Sequence, residues 1–279
     1  MESNQEPESQ FATAAGMRIH YQVVGTGPPL ICLHGGGPGA SSWSNFAPNV
    51  PDLSQRHELY LIDMPGFGKS EKVAIESPSL TRVAAIVAEL ADQLGITSAG
   101  LLGNSRGGQV GLKLAIDRPD VVRRLAVIGS MPGMPSALTP MPPEAVAMIR
   151  NYYRDDGPSP QKIRNLMEVM VYDKSLITED RVRARYEASI EPELLELGGT
   201  LPAPQNLVHE LSDVPCPTLI IWGQDDRAGP LDVGLMMLRL IPDARMHVFG
   251  RCGHWAQLEH SKEFNALVLE FFGSTDGVS

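Results

Sequence analysis

A series of short, mostly apolar runs, each stopped by glycine or by polar loop residues, constrains the fold of this 279-residue chain most strongly. Runs of this length without helical periodicity are typical of buried strands. Stretches with helical spacing lie between several of them, as at Leu80–Leu94 and Leu231–Leu240. Strands that alternate with helices predict a parallel sheet covered on both faces. The predicted strands are Met17–Val24, Leu30–Leu33, Leu59–Ile62, Ala99–Leu102, Leu125–Ile128, Thr218–Trp222 and Arg245–Phe249.

The middle of the chain departs from this pattern. From Gly129 to about Leu211, prolines, methionines and helical periods dominate, and no strand signal stands out. We therefore expect a helical cap at residues 131–211, inserted between two strands of a core that is formed by residues 11–130 and 212–279. The polar and acidic residues 1–10 are predicted to form a disordered tail.

Charge and composition argue against several classes of protein. The formal net charge of −10 disfavours binding to nucleic acid or to an anionic membrane surface. No apolar run approaches the roughly 18 residues of a membrane span, and the N-terminus lacks the pattern of a signal peptide. The three cysteines lack metal-ligand spacing and are interpreted as free thiols. We expect a cytoplasmic protein without metal or cofactor, acting on a small molecule.

One glycine-rich segment carries the strongest chemical signal. The sequence Gly103-x-Ser105-x-Gly107 follows a predicted strand and precedes a predicted helix. A serine between glycines in this context is typical of a nucleophile elbow, a strained turn that exposes the hydroxyl above the sheet. The helix N-terminus behind it favours developing negative charge. Ser105 is therefore the candidate nucleophile, and a plain glycine-rich turn is the alternative.

A serine hydroxyl needs a base to take its proton, and the chain has seven histidines. His254 follows the last predicted strand, in a loop at the carboxyl edge of the sheet, where the elbow also lies. His247 lies inside that strand, and His260 is placed to begin the terminal helix, so both are interpreted as structural. We expect His254 to be the base.

The acid that orients the base should follow a strand and lie between nucleophile and histidine along the chain. Asp225 and Asp226 follow the strand Thr218–Trp222 and both meet this condition, although a solvated turn is the alternative interpretation. Acyl chemistry also needs donors for the developing oxyanion. The backbone of the His34–Gly37 loop and that of Arg106 are the candidates.

The order of these motifs resembles that of the α/β-hydrolase superfamily over nearly the whole chain. The resemblance implies an α/β-hydrolase fold, with a mostly parallel central sheet, helices on both faces and an inserted helical cap. Within the superfamily, the chain resembles the meta-cleavage-product hydrolases, which hydrolyse carbon–carbon bonds in bacterial aromatic degradation. The stretches that carry this resemblance are His34–Ala40, Trp43–Asn45, Gly103–Ser105, Asp225–Arg227, Pro230–Asp232 and Arg251–Gln257.

The resemblance implies a role for individual residues. It makes Ser105, Asp226 and His254 the catalytic triad, and it assigns the oxyanion hole to the backbone of Gly36 and Arg106. Arg185, in a short Arg-Tyr-Glu match, would hold the dienol and carboxylate end of the substrate, with an exposed helix charge as the alternative. The implied substrate-binding residues are Gly35, Asn45, Asn104, Arg185 and Trp255.

The family's substrates are vinylogous 1,5-diketones of the 2-hydroxy-6-oxo-hexa-2,4-dienoate type, so the implied activity is serine-dependent carbon–carbon hydrolysis. Two departures keep a carboxylesterase or lactonase as the alternative. Arg106 stands where an apolar residue is usual, and Ser41-Ser42 replaces smaller residues. A ligand receptor without catalysis is a more remote alternative. The resemblance also suggests a homodimer or a larger homo-oligomer.

Overall fold

The computed structural model describes residues 5–198 and 204–273, and its strands form one sheet. These strands are β1 Gln10–Ala14, β2 Met17–Val24, β3 Pro29–Leu33, β4 Glu58–Ile62, β5 Ala99–Asn104, β6 Val122–Ile128, β7 Thr218–Gly223 and β8 Ala244–Phe249. Their order across the sheet is β1-β2-β4-β3-β5-β6-β7-β8. β2 pairs in antiparallel fashion with β1 and β4, and the remaining described pairs are parallel.

Helices cover both faces of the sheet and occupy the segment between β6 and β7. They are α1 Ser42–Phe46, α2 Val50–Leu53, α3 Ser79–Gln93, α4 Arg106–Asp117, α5 Glu144–Asn151, α6 Pro160–Met170, α7 Glu179–Ser189, α8 Pro192–Glu196, α9 Leu231–Leu240, α10 Ala256–Glu259 and α11 Ser261–Gly273. Short 3-10 helices lie at Lys174–Leu176 and Val208–Asp213. Within the described ranges, none of these helices combines the length and apolar character needed to cross a bilayer.

The inner strands contribute alternate side chains to two hydrophobic layers. Ile31 and Leu33 of β3 pack in the layer that contains α3, α4 and α9, whereas Leu30 and Cys32 pack in the layer with α2 and α11. This alternation follows from the two-residue period of a strand. A strand that is buried on both faces must be apolar throughout, which is why these strands appear in the sequence as short apolar runs. The predicted sheet with helices on both faces is confirmed.

The parallel strands place the functional loops together. β3, β5, β6, β7 and β8 run in the same direction, so the loops that follow them meet at one edge of the sheet. The loop after β3 contains residues 34–40, and the turn after β5 contains Ser105. Gly129 follows β6, Asp226 follows β7 and His254 follows β8.

The segment between β6 and β7 forms no strand among its described residues and contains α5–α8. Its helices have a hydrophobic cluster of their own, around Tyr152, Ile163 and Leu166. Trp255, from the loop after β8, also packs in this cluster. The last residues of the predicted cap, which extends to residue 211, pack on the core. Leu207 and Leu211 are fully buried in the main core, because the 3-10 helix that Leu207 precedes and that contains Leu211 packs against α4 and α9.

The predicted disordered tail is wrong for residues 5–10. Gln10 begins β1, which pairs with β2 along its whole length and was not expected from the sequence. The segment before it is also held, since Gln22 Nε2 donates to Glu6 Oε1 at 2.9 Å and Lys69 Nζ lies 2.9 Å from the same oxygen. Glu6 therefore has specific partners on β2 and in the loop after β4. Residues 1–4 lie outside the described residues.

Candidate active site

Ser105 lies in the turn between β5 and α4 with φ of 51° and ψ of −113°. Residues with a Cβ rarely adopt this conformation, which costs on the order of 1–3 kcal/mol and persists only where its surroundings enforce it. The backbone N–H of Ser105 donates to the carbonyl of Ile128, at the end of β6, at 2.7 Å. A Cβ on Gly103 would lie 2.5 Å from the nitrogen of Gly108, so glycine is required at that position.

His254 and Asp226 form a buried pair. Nδ1 of His254 lies 2.7 Å from Oδ2 of Asp226, and the exposed fractions of the two side chains are 2% and 0%. The other carboxylate oxygen accepts hydrogen bonds from the N–H groups of Ala228 and Gly229, at 2.7 and 2.8 Å. A carboxylate at Nδ1 favours the tautomer that leaves Nε2 free as a base. Of the two aspartates left open by the sequence, Asp226 is thus the one that contacts the histidine, and Asp225 is exposed.

Ser105 and His254 line one cavity of about 390 Å³ at the carboxyl edge of the sheet. Asp226 does not line this cavity and lies behind the imidazole ring. The cavity is also lined by the other residues that the sequence analysis selected: Gly35, Gly36, Asn45, Asn104, Arg106, Arg185 and Trp255. In the described part of the chain, no group of three His, Cys, Asp or Glu side chains is placed to hold a metal ion.

The loop after β3 is oriented by His34. Its Nε2 accepts a hydrogen bond from the backbone N–H of Met64 at 3.0 Å, so its proton lies on Nδ1, which donates to the Gly35 carbonyl at 2.7 Å. Burial lowers the pKa of His34, which keeps the ring in this neutral form. Because the peptide that follows is trans, the N–H of Gly36 points away from that carbonyl and from His34. Gly36 lines the cavity, as an oxyanion donor must.

Two buried asparagines hold different backbone segments at this edge of the sheet, Asn45 the loop after β3 and Asn104 the end of β6. Oδ1 of Asn45 accepts from the N–H of Gly35 at 3.1 Å, and Nδ2 of Asn104 donates to the carbonyl of Ile128 at 3.3 Å. α1 positions Asn45, and its N-cap Ser41 begins that helix with a capping box. Each amide uses one polar atom to hold the backbone, which leaves the second for a ligand in the cavity.

Arg106 and Arg185 contact successive glycines of this loop. Cδ of Arg106 lies 2.9 Å from the position of a Cβ on Gly36, and Nη2 of Arg185 lies 2.8 Å from the corresponding position on Gly37. The guanidinium carbon of Arg185 is 5.2 Å from the centroid of the Trp255 ring, within the range of a cation–π contact. Its Nε is buried without a partner among the described residues. Arg185 thus faces the cavity and is not an exposed helix charge.

Burial also changes the acidity of these cations. Desolvation lowers the pKa of Arg185 to about 10, with a smaller opposing effect from Tyr152. Desolvation also lowers the pKa of Arg106. Loss of hydration makes the charged form less favourable, and a bound anion restores the lost interaction. Both side chains are therefore suited to an anionic ligand.

Two contacts that hold His254 were missed by the sequence analysis. The backbone N–H of His254 donates to the carbonyl of Met170, the last residue of α6, at 2.7 Å. Gly129 follows β6 with φ of 56°, and a Cβ there would touch the imidazole. Gly129 could have been predicted, since it follows a predicted strand at the edge of the sheet where the site lies. The Met170 contact uses a backbone carbonyl, for which residue type gives no signal.

Glu259 links the histidine loop to the segment between β6 and β7. Its Oε1 accepts from the N–H of Gly253 at 2.7 Å, and its Oε2 accepts from those of Tyr172 and Asp173 at 2.7 and 3.0 Å. A carboxylate that accepts three backbone hydrogen bonds fixes both segments relative to each other. The sequence analysis did not identify Glu259, and the one feature that could have indicated it is its position five residues after His254.

A serine on a strained strand-to-helix turn, in one cavity with a histidine that a buried aspartate orients, is the arrangement found in α/β hydrolases. The family model described as the alpha/beta hydrolase fold matches residues 28–261. The chain therefore belongs to the α/β-hydrolase family.

Relatives narrow this assignment. The chain is 39% identical over 263 residues to 2-hydroxy-6-oxononadienedioate/2-hydroxy-6-oxononatrienedioate hydrolase of Burkholderia vietnamiensis, covering 91% of each chain. It is also 39% identical over 260 residues to 2-hydroxy-6-oxo-6-phenylhexa-2,4-dienoate hydrolase of Comamonas testosteroni, covering 91% of this chain and 90% of the relative. A solved meta-cleavage product hydrolase from Pseudomonas fluorescens matches with a TM-score of 0.86 and 33% identity over 95% of this chain and 97% of its own. The predicted resemblance to meta-cleavage-product hydrolases is confirmed.

Proposed function

We propose that this chain is a serine hydrolase that cleaves a carbon–carbon bond in a 2-hydroxy-6-oxo-hexa-2,4-dienoate, a vinylogous 1,5-diketone. The observation that carries the proposal is that Arg185 lines the same cavity as Ser105 and His254, with its Nε buried and without a partner among the described residues. A simple ester presents no carboxylate for such a cation, whereas a dienoate does. Relatives named as hydrolases of this kind of substrate support the same function.

The reaction begins with the dienol end of the substrate at Arg185. Loss of the 2-hydroxyl proton and protonation of C5 convert the dienol to its 2-oxo tautomer, whose conjugated carbonyl can accept the electron pair of the later bond cleavage. The guanidinium stabilises the negative charge that develops on the dienolate during this step, and partial exclusion of water strengthens that interaction.

Ser105 then attacks the C6 carbonyl. Nε2 of His254 takes the hydroxyl proton, and the oxyanion accepts hydrogen bonds from the N–H groups of Gly36 and Arg106. Collapse of this intermediate breaks the C5–C6 bond, and the electron pair moves through the conjugated system to the 2-oxo oxygen. That oxygen takes the proton held by His254, which regenerates a dienol and returns the imidazole to its neutral form. The acyl group stays on Ser105 until a water, deprotonated by His254, releases it as the carboxylic acid.

The first test compares loss of dienoate colour with hydrolysis of a nitrophenyl ester. We expect Ser105→Ala and His254→Ala each to lower turnover by at least about 10³-fold, because the members of a triad act as a unit. Rapid ester hydrolysis without loss of dienoate colour would exclude the proposed substrate. Near-normal rates in either variant would exclude the assigned nucleophile or base.

The second test concerns Arg185. We expect Arg185→Ala to lose dienoate turnover and to spare simple esters, because only the dienoate has a carboxylate to bind. Arg183→Ala is the matched control, since Arg183 lies on the same helix, is exposed and pairs with Asp180. Equal losses on both substrates in Arg185→Ala would indicate a structural role.

A carboxylesterase or lactonase is the second candidate function, and Arg106 favours it, since meta-cleavage-product hydrolases usually have an apolar residue there. The ester arm of the first test addresses this candidate directly. A receptor without catalysis would bind its ligand without turnover and would be unaffected by Ser105→Ala.

We further propose an arrangement in which residues 11–130 and 212–279 form the core and residues 131–211 form a cap, with its last residues packed on the core. The separate hydrophobic cluster around α5, α6 and α7 supports this division. The partner is a small-molecule substrate, and the assembly is a homodimer or a larger homo-oligomer, which light scattering tests. We propose a cytoplasmic location, and the three buried free thiols fit a reducing compartment.

A further inference from the structure

The charge of the active-site cavity is opposite to that of the whole chain. Arg106, Arg150 and Arg185 line the cavity, and none of its described lining residues is an Asp or Glu. The chain as a whole has 33 acidic and 23 basic residues, so this local excess of cations is not a reflection of composition. Partly enclosed cations without counter-ions are costly, and such clusters are typical of sites that bind anions.

Arg106 is a cation with no counter-ion among the residues that the structure describes. It lies directly after the nucleophile, is half-buried, and forms no ion pair with a described carboxylate. Desolvation is the sole influence on its lowered pKa, whereas a neighbouring carboxylate would raise that pKa. Its Cβ and Cδ pack against Gly36, where an added Cβ would lie 3.2 and 2.9 Å from them. The stem is thus held by the loop, and the charge has no described protein partner.

The two half-buried arginines border different extensions of the cavity. Arg106 also lines an adjoining apolar space, together with Phe67, Val73 and Leu194. Arg185 does not border that space and lines a cleft beside α1 instead, with Trp43. If the substrate's first carboxylate binds Arg185, the apolar space beside Arg106 still has a cation at its wall and no anion bound to it.

We propose that Arg106 binds a second carboxylate, at the far end of the substrate's acyl group, so that the enzyme prefers dianionic substrates. This inference rests on the proposed function, which assigns the first carboxylate to Arg185. In the acyl-enzyme the acyl carbon is bonded to Ser105, so the acyl tail begins one residue away from Arg106. A short apolar tail that ends in a carboxylate matches an apolar extension with a guanidinium at its wall.

The main experiment compares two substrates that differ in the terminal carboxylate alone: 2-hydroxy-6-oxonona-2,4-dienedioate and 2-hydroxy-6-oxonona-2,4-dienoate. We expect the wild type to have a kcat/KM at least about tenfold higher for the dioate, and Arg106→Met to lose that preference mainly through KM. Arg106→Lys keeps the charge and should retain part of the preference. Arg154→Met is the matched control, because Arg154 is exposed and does not line the cavity.

A second pair of substrates separates this inference from the proposed function. Mono-4-nitrophenyl adipate and 4-nitrophenyl hexanoate require a serine hydrolase alone and again differ by one carboxylate on the acyl tail. A preference for the adipate that Arg106→Met abolishes would support the second-carboxylate site even if no dienoate is cleaved. An unchanged ratio in Arg106→Met would overturn the inference. Equal falls in kcat on both esters would also overturn it, because such a result would indicate that the Arg106 side chain stabilises the oxyanion and does not bind the acyl tail.

A binding measurement covers the case in which Arg106→Met does not fold. In Ser105→Ala, we expect adipate to raise the Tm more than hexanoate at the same concentration and ionic strength, because two cations meet two carboxylates. Equal shifts with both acids, or none with adipate, would overturn the inference.

Discussion

Gly129 and His254 are packed so closely that no side chain fits between them. A Cβ on Gly129 would lie 2.8 Å from both Cε1 and Nδ1 of the imidazole and 3.0 Å from Oδ2 of Asp226. The residue also has a positive φ of 56°, which disfavours any residue with a Cβ. The backbone just after β6 therefore packs directly against the histidine–aspartate pair. Glycine is required at position 129 because of both this close contact and the positive φ.

Gly129→Ala should lower kcat by about 10²-fold or more, because the new methyl group displaces the imidazole from its position beside Ser105. Gly95→Ala is the matched control, since Gly95 has a φ of 71° but no atom within 4 Å of an added Cβ. It reproduces the backbone strain without the collision, so we expect it to reduce stability alone. Steady-state kinetics and thermal unfolding of both variants give the comparison. Wild-type kcat in Gly129→Ala would contradict the described packing.

Asp226→Asn should lower kcat by about 10⁴-fold, the size of loss seen when the corresponding acid is amidated in a serine protease. An amide NH₂ that faces Nδ1 favours the tautomer with the proton on Nε2, where it cannot accept the proton of Ser105. Asp225→Asn is the control, because Asp225 is exposed and adjacent in the chain. If the two variants lose activity equally, the assignment of the acid is wrong. The pH dependence of kcat in each variant measures the effect on the base.

Glu259→Gln should weaken both stability and turnover. The glutamine offers one acceptor oxygen in place of two, so at least one of the N–H groups of Gly253, Tyr172 and Asp173 loses its partner. We expect the free energy of unfolding to fall by about 1–3 kcal/mol. Turnover should fall as well, because the loop that holds the base is loosened. Glu263→Gln, which removes an exposed partner of His260, is the control and should change neither quantity appreciably.

Stability should fall as the pH drops from about 7 to about 5. Burial lowers the pKa of His34 and that of His57 below the ordinary 6.5. Below pH 6.5 the unfolded chain therefore binds more protons than the folded chain at these two sites, which lowers the free energy of unfolding. Above pH 6.5 both histidines are mostly neutral in either state, so this loss of stability disappears. Urea unfolding across this range measures the slope. His57→Gln should make the slope shallower, and an identical slope in wild type and variant would contradict the role of His57.

The local pattern predicted the central sheet because its inner strands are buried on both faces. β3 and β7 match apolar runs that any packing of this kind requires. β1 was missed because its sequence, Gln-Phe-Ala-Thr-Ala, is half polar, and its strand conformation depends on pairing with β2. α1 is five residues long, too short to show a helical period. Edge strands and single-turn helices depend on tertiary contacts that a local pattern does not contain.

The candidate site was predicted to a similar extent. Because parallel strands end at one edge, their sequence positions were enough to bring Ser105 and His254 together. The choice between Asp225 and Asp226 needed the family resemblance, since both follow the same strand. The support of His254 by Gly129 and Met170 was outside the reach of any motif, because it depends on close backbone approach between distant segments.

The hydrogen bond from the backbone N–H of His254 to the carbonyl of Met170 makes the base and α6 a single mechanical unit. If α6 swings outward to admit a substrate, it must release the anchor of the imidazole at the same moment. A displacement of α6 would thus reach the base directly, through the backbone N–H that holds it.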